Sequence, residues 1–306
     1  MSKAPVEHVA TFIAGAGRAP FGEEVVARAL RKAGRLAGSG EIDWLDRGVA
    51  ADVRLPLDPD SLEALRDALH SALREETIDV VVQPEAFRRK ALLVADMDST
   101  MIGQECVDEL AEFAGLRDHI ARITERAMRG EIEFERALRE RVALLAGLRV
   151  EVIDAILNER ITPTRGAHRL VATMRAHGAH TALVSGGFTL FAEPIAERLG
   201  FHEARANRLA VENGRLTGVV LPPINGARAK LEALQQLRAA LGLPRQATLA
   251  VGDGANDLDM LGAAGLGVAF HAKPKVAAAA QARIDHADLT ALLFAQGYRR
   301  ADFAER

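Results

Sequence analysis

The sequence predicts an α/β protein: a Rossmann-like parallel sheet with a helical cap inserted after its first core strand, preceded by a small α+β unit of ferredoxin-like order. Three observations predict it. From residue 91 onward, short and nearly continuous apolar runs alternate with helical patterns, as in a parallel sheet buried on both faces. Residues 103–162 separate the first two runs with helical periodicity, too long a segment for a simple crossover, so they read as a cap over the sheet edge where ligands bind. Before residue 87 the order is instead strand, helix, strand, strand, helix, strand, with two helices expected on one face of an antiparallel sheet.

The elements follow in chain order. Apolar and polar residues alternate from Glu7 to Ile13, a strand, and a turn containing Gly15 and Gly17 leads to a helix over Glu23–Lys32. Extended stretches are expected near Gly40–Leu45 and Val49–Leu55. Asp58 and Asp60 open a second helix, in which Leu62, Leu65, Leu69 and Leu73 recur at helical spacing. Ile78–Val82 is the last strand of the unit, stopped by Pro84. Arg88, Arg89 and Lys90 then read as a polar linker, which puts a domain boundary near residue 87 and divides the chain into 1–87 and 88–306. The core strands are residues 91–95, 180–184, 247–251 and 266–270.

Composition narrows the function. The 306 residues are 49% hydrophobic and 26% charged, which excludes disordered and collagen-like classes. With 39 basic against 42 acidic residues the formal charge is −3, without the positive excess that a phosphate backbone demands, so no nucleic-acid partner is expected. The single cysteine, Cys106, permits neither an internal disulfide framework nor a cysteine-rich zinc site, and a cytoplasmic setting is expected. The first residues lack a long apolar run with a cleavage-type ending, and no stretch approaches the roughly 18 uninterrupted apolar residues of a membrane helix. A soluble, unprocessed chain without membrane contact is the expectation.

Three strand ends carry chemistry. The first continues Asp96-Met97-Asp98-Ser99-Thr100, where carboxylates two apart on an extended chain project to one side and repel. A cation or a proton must sit between them. Mg2+ suits, since it takes hard oxygen ligands and keeps room for a substrate phosphate. Ser185-Gly186-Gly187-Phe188 ends the second strand, where glycines allow close backbone approach and N–H groups can face an anion. Gly252-Asp253-Gly254-Ala255-Asn256-Asp257 follows the third and adds carboxylates to the same mouth. Lys230, one of only six lysines, lies at a helix start between these two strands as a point charge for phosphate. Each motif alone also fits an ordinary polar loop or turn; their joint order carries the argument.

In that order the sequence resembles the haloacid dehalogenase (HAD) superfamily of aspartyl-phosphate phosphatases, and more closely the branch acting on O-phospho-L-serine. The resemblance covers about residues 90–290 and extends to Arg160-Ile161-Thr162-Pro163-Thr164 and Ala206-Asn207-Arg208-Leu209. It implies Asp96 as nucleophile and Asp98 as general acid and base. It implies Mg2+ held by Asp96, Asp253 and the backbone carbonyl of Asp98, with Asp257 in support. Ser185, Gly186 and Lys230 would hold the phosphoryl group, with Asn256 beside them. In the cap the substrate contacts fall on Glu105, Met128, Phe134 and Arg141, and the chemistry agrees: a phosphorylated amino acid brings an ammonium and a carboxylate, for which Glu105 and Arg141 supply opposite charges while Met128 and Phe134 exclude water.

The expected reaction releases L-serine and phosphate, the last step of serine biosynthesis. Rival readings are a phosphatase or phosphotransferase for another small phosphomonoester, and a non-catalytic amino-acid-sensing protein; a receiver-type signalling domain is disfavoured by the cap-sized insertion. By element order and length the N-terminal unit resembles the regulatory ACT domains, which implies serine as a regulatory ligand and a homodimer, although Gly15 and Gly17 fit a plain turn equally. His177 and His180 lack a third ligand at zinc spacing and are read as structural.

Overall fold

The computed structural model describes residues 6–34, 41–128 and 131–305, apart from the side chains of Pro59 and Met128. The first elements are β1 (Val6–Ala14), α1 (Glu23–Lys32), β2 (Ile42–Asp46), β3 (Ala50–Leu57), α2 (Leu62–Ala72) and β4 (Ile78–Pro84). Their strands form an antiparallel sheet in the order β2-β3-β1-β4. Gly40, expected to open β2, lies outside the described residues. Strand alternation splits this sheet into two chemically different faces. Phe12, Val53, Leu55 and Val80 face the helices, where Val26, Leu30, Leu65 and Leu69 cover them. The other face carries Ile13, Ala50 and Val81 into a core shared with the rest of the chain.

That second face also buries polar groups, most of them partnered, although the Gln83 side-chain oxygen has no hydrogen bond among the described residues. Thr11 donates to Asp52 at 2.8 Å, and Asp79 accepts the backbone N–H groups of Asp285, His286 and Ala287. The Gln83 amide donates to the Ala295 carbonyl. Here the expected linker is corrected. Arg88 and Lys90 are only 7% and 6% exposed, and the Arg88 guanidinium grips both oxygens of Asp52 at 2.7 Å while donating to the carbonyls of Phe294 and Ala295. Side-chain hydrogen bonding to buried acceptors, which composition does not reveal, turned a charge run into a clasp.

The rest of the chain begins with β5 (Leu92–Ala95) and four helices, α3 (Cys106–Phe113), α4 (Arg117–Met128), α5 (Phe134–Ala143) and α6 (Glu151–Glu159). These helices are the cap. Its two ends are tied together, because Gly103 N–H donates to the Thr162 carbonyl at 3.0 Å and the Gln104 amide exchanges two hydrogen bonds with Thr162. Next come α7 (Ala167–Ala176), β6 (His180–Phe188), α8 (Thr189–Leu199), β7 (Glu203–Glu212), β8 (Arg215–Leu221) and α9 (Ala227–Ala240). The chain ends with β9 (Thr248–Gly252), α10 (Leu258–Ala263), β10 (Leu266–Phe270), α11 (Pro274–Ala279), β11 (Ala282–Ile284) and α12 (Ala291–Ala295).

Seven strands pair in the order β11-β10-β9-β5-β6-β7-β8. All neighbours are parallel except β7 and β8. The β7–β8 hairpin adds to what the apolar runs predicted. Its turn is Asn213-Gly214, both with positive φ (51° and 71°), the conformation that suits a tight two-residue hairpin. The hairpin props the cap: Gly147 N–H donates to the Leu216 carbonyl and Gly218 lies against Ala143 and Ala146.

Candidate active site

Because β9, β5 and β6 are adjacent and parallel, their carboxyl ends open on one edge of the sheet, at the point where strand order reverses. Three polar strand ends distant in sequence therefore meet there. Asp96 leaves β5 with its N–H bonded to the Val251 carbonyl, and the chain turns sharply through Met97–Met101, with Ser99 at a positive φ of 54°. Lys230, in the first turn of α9, reaches the same point and is 1% exposed.

The Lys230 ammonium lies 2.6 Å from carboxylate oxygens of both Asp96 and Asp257. Asp257 also accepts the Gly254 N–H, and a Cβ on Gly252 would lie 2.4 Å from the Asp257 carboxyl carbon, so the close approach requires glycine. Asp253 accepts from the Thr100 hydroxyl at 3.2 Å. Oxygens of Asp96, Asp253 and Asp257 all come within 4.8 Å of one another, an arrangement able to hold a metal ion. The Asp98 side chain is not part of that group. Its oxygens instead accept the Cys106 N–H at 3.0 Å and the Ser185 hydroxyl at 3.4 Å.

The electrostatics demand a further cation. Burial pushes the Asp96 carboxyl well above its ordinary range, with Lys230 pulling the other way and Asp257 and Asp98 adding repulsion. Asp253 is raised by burial and by Asp257. Burial would discharge Lys230, but the carboxylates of Asp96 and Asp257 outweigh it and raise the ammonium above its usual value. Asp98 is raised by burial against the pull of the Cys106 N–H, a shift in the direction that favours the protonated carboxyl. A hard divalent ion fits this oxygen set. The Cys106 thiol is itself buried and pushed up by that burial, so it is inert.

Ser185 is buried and its oxygen accepts the Gly187 N–H at 2.8 Å, which orders the loop that carries Gly186. Asn256 stands exposed at the mouth beside Gly254. From the cap, the Phe134 ring packs over this loop, 3.7 Å from a Cβ built on Gly186 and 3.1 Å from one on Gly226. Glu105 accepts from the Ser99 hydroxyl at 2.7 Å, and burial followed by the charge of Asp98 raises its carboxyl to about 7. Arg141 feels the charges of Asp108 and Glu105, yet among the described residues it ion-pairs with neither. Met128 closes α4, but its side chain lies outside the described residues. Of the histidines, His180 bonds Glu203 and stacks on His202, and His177 packs on Tyr298.

Three positioning residues were quoted in the motifs without a role. Thr100 orients Asp253 and Ser99 orients Glu105. Asn207, fully buried, donates to the carbonyls of Gly186 and Asn225 and accepts the Asn225 N–H. β7 also carries Glu203, Arg205, Arg208 and Glu212, so no local signal set Asn207 apart.

Comparison with known proteins agrees with this geometry. Residues 93–262 match the model of the haloacid dehalogenase-like hydrolase family. The phosphoserine phosphatase SerB2 of Mycobacterium tuberculosis is 42% identical over 290 residues, 88% of this chain and 71% of that protein. A phosphoserine phosphatase of Streptomyces coelicolor is 44% identical over 243 residues, but the match covers 78% of this chain and only 59% of that protein. Among solved structures, a probable phosphoserine phosphatase from Vibrio cholerae, in unliganded form, superposes with a TM-score of 0.79 at 30% identity, covering 99% of this chain and 90% of the other.

Proposed function

The chain belongs to the haloacid dehalogenase-like hydrolases, and on that premise we propose that it hydrolyses O-phospho-L-serine to L-serine and phosphate, with Asp96 as nucleophile. One observation carries the reading. Asp96 is held beside a buried ammonium and two further carboxylates, while Glu105 and Arg141 stand opposite in charge and unpaired with each other above it. A phosphate, an ammonium and a carboxylate on one small molecule would satisfy all three regions.

Asp96, Asp253 and Asp257, with the backbone carbonyl of Asp98, would hold Mg2+, whose charge offsets that of the phosphoryl oxygens. Asp96 attacks phosphorus in line and forms an aspartyl-phosphate. Asp98, in the protonated form that burial favours, gives its proton to the departing serine oxygen. As a carboxylate it then takes a proton from the water that attacks the intermediate, which frees phosphate and restores Asp96. Lys230, Ser185 and the loop at Gly186 hold the phosphoryl oxygens, Glu105 takes the substrate ammonium and Arg141 its carboxylate. Phe134 and Met128 keep bulk water from the intermediate, and Asn256 borders the mouth. On this reading the chain works in the cytoplasm, at the last step of serine synthesis.

Residues 1–87 and 88–306 form two units in this reading, the first of ACT-like order, supported by the division of the strands into two sheets. A panel of phosphorylated amino acids, sugars and nucleotides, assayed for phosphate release with and without Mg2+, tests the proposal. Preference for phosphoserine only with the ion is expected; equal rates across the panel would remove the amino-acid reading.

A further inference from the structure

Where the N-terminal unit meets the core, a cleft of about 790 Å³ opens between the loop after β1 and the Pro163–Arg169 segment that leads from the cap into α7. None of Asp96, Asp98, Lys230 or Asp253 lines it. Its size is that of a small-molecule site. Its walls present five arginines, Arg18, Arg165, Arg169, Arg198 and Arg300, against two carboxylates, Asp46 and Asp288, in a chain whose net charge is −3.

The pair of Arg165 and Asp288 at 3.1 Å, to which the Thr290 N–H also donates, cancels within itself and leaves four arginines facing Asp46 alone. Arg198 spends its donors on Leu157 and Asn158 of the cap, and Arg300 lies over the Phe303 ring. Arg18, from the N-terminal unit, and Arg169, from α7, make no side-chain hydrogen bond or ion pair among the described residues. Elsewhere on the surface arginines find acids, as in Arg139 with Glu135 and Arg228 with Glu232. Guanidinium forks on opposing walls match the oxygens of carboxylate or phosphate groups. We propose that this cleft binds a small anion carrying two or more negative charges, as carboxylate or phosphate groups, between Arg18 and Arg169, at a site separate from that of the substrate.

Calorimetric titration of the full chain with tricarballylate and, separately, with phosphonoacetate tests this, comparing wild type with an Arg18→Gln/Arg169→Gln variant and with Arg18→Gln alone. Because phosphonoacetate can also enter the active site, the difference between proteins is the readout. Wild type should bind at least about tenfold more tightly than the double variant, with the single variant between them. A loss confined to tricarballylate assigns the cleft to carboxylates, one confined to phosphonoacetate assigns it to phosphates, and losses for both leave charge alone as the determinant. Equal affinities in the three proteins, or no binding to wild type up to about 10 mM, would overturn the proposal.

Discussion

The buried ammonium of Lys230 lies 2.6 Å from the carboxylate of Asp96, although 133 intervening residues of chain, including the whole cap, separate position 96 from position 230. The same ammonium serves Asp257 at equal distance, so one fixed cation faces three clustered carboxylates. The remaining negative charge is what a divalent ion would offset.

Lys230→Met should therefore lower stability by about 3–5 kcal/mol in the presence of a chelator, since it strands two buried carboxylates. Added Mg2+ should recover part of the loss. Thermal unfolding with and without the ion measures both quantities, and an identical deficit under the two conditions would contradict a shared charge balance.

Asp96→Asn should abolish phosphate release while the far-ultraviolet circular dichroism stays unchanged, because the amide keeps the shape and can still accept from Met97 N–H. Acid quenching with labelled substrate should trap phosphate on the wild-type chain alone. Label on the variant would place the nucleophile elsewhere.

Arg141→Ala should raise KM for phosphoserine by about 10 to 100-fold, the worth of a charged hydrogen bond, and leave an aryl phosphate nearly unaffected. Steady-state kinetics on the two substrates gives the comparison. Parallel losses would mean that Arg141 supports the cap and does not read the substrate carboxylate.

Glu105 supplies a pH signature. With its carboxyl raised to about 7, it is neutral in the free chain below that pH and charged above it. KM for phosphoserine should accordingly rise as pH falls through 7, where the acceptor for the ammonium is lost. The raised value also means that the folded chain binds this proton more tightly than the unfolded one, so the group weakens the fold as pH rises from the ordinary carboxylate range through 7. Glu105 is exposed at the active site, and solvent screening keeps that effect small. Glu105→Gln should flatten the KM profile and melt no lower than wild type at pH 8.

Arg88→Ala should cost about 3–5 kcal/mol in urea unfolding, because it leaves Asp52 buried without its ion pair. An Arg88→Met/Asp52→Leu double variant should recover much of that. A single variant as stable as wild type would show that the clasp between the first sheet and α12 contributes little.

Much of this molecule was legible locally. The bounds of α1 and β10 coincide with their sequence patterns, because a helical stripe and a short apolar run report burial within a few residues. The hairpin of β7 and β8 was equally readable from Asn213-Gly214 between alternating residues, a turn signal that a search for buried parallel strands passes over. The run Arg88-Arg89-Lys90 shows the opposite limit: charge alone predicts solvent, and only the placement of Asp52 opposite Arg88 and of two carbonyls behind it makes burial favourable.

By itself the sequence determined which residue types stand at the end of each strand, and so the acids, the lysine and the glycine-lined loop available for phosphoryl chemistry. Tertiary structure alone decided that β5 lies between β6 and β9, which brings Asp96, Ser185 and Asp253 to one edge, and that Asp98 turns toward Cys106 and Ser185 instead of joining the other three carboxylates. It also decided that one face of the first sheet is consumed in the core and that Arg18 confronts Arg169 across a cleft. The physical reason is range. Periodicity and turn chemistry act over a few residues of chain, whereas strand order, ion pairing and cavities are set by packing between segments that sequence distance does not relate.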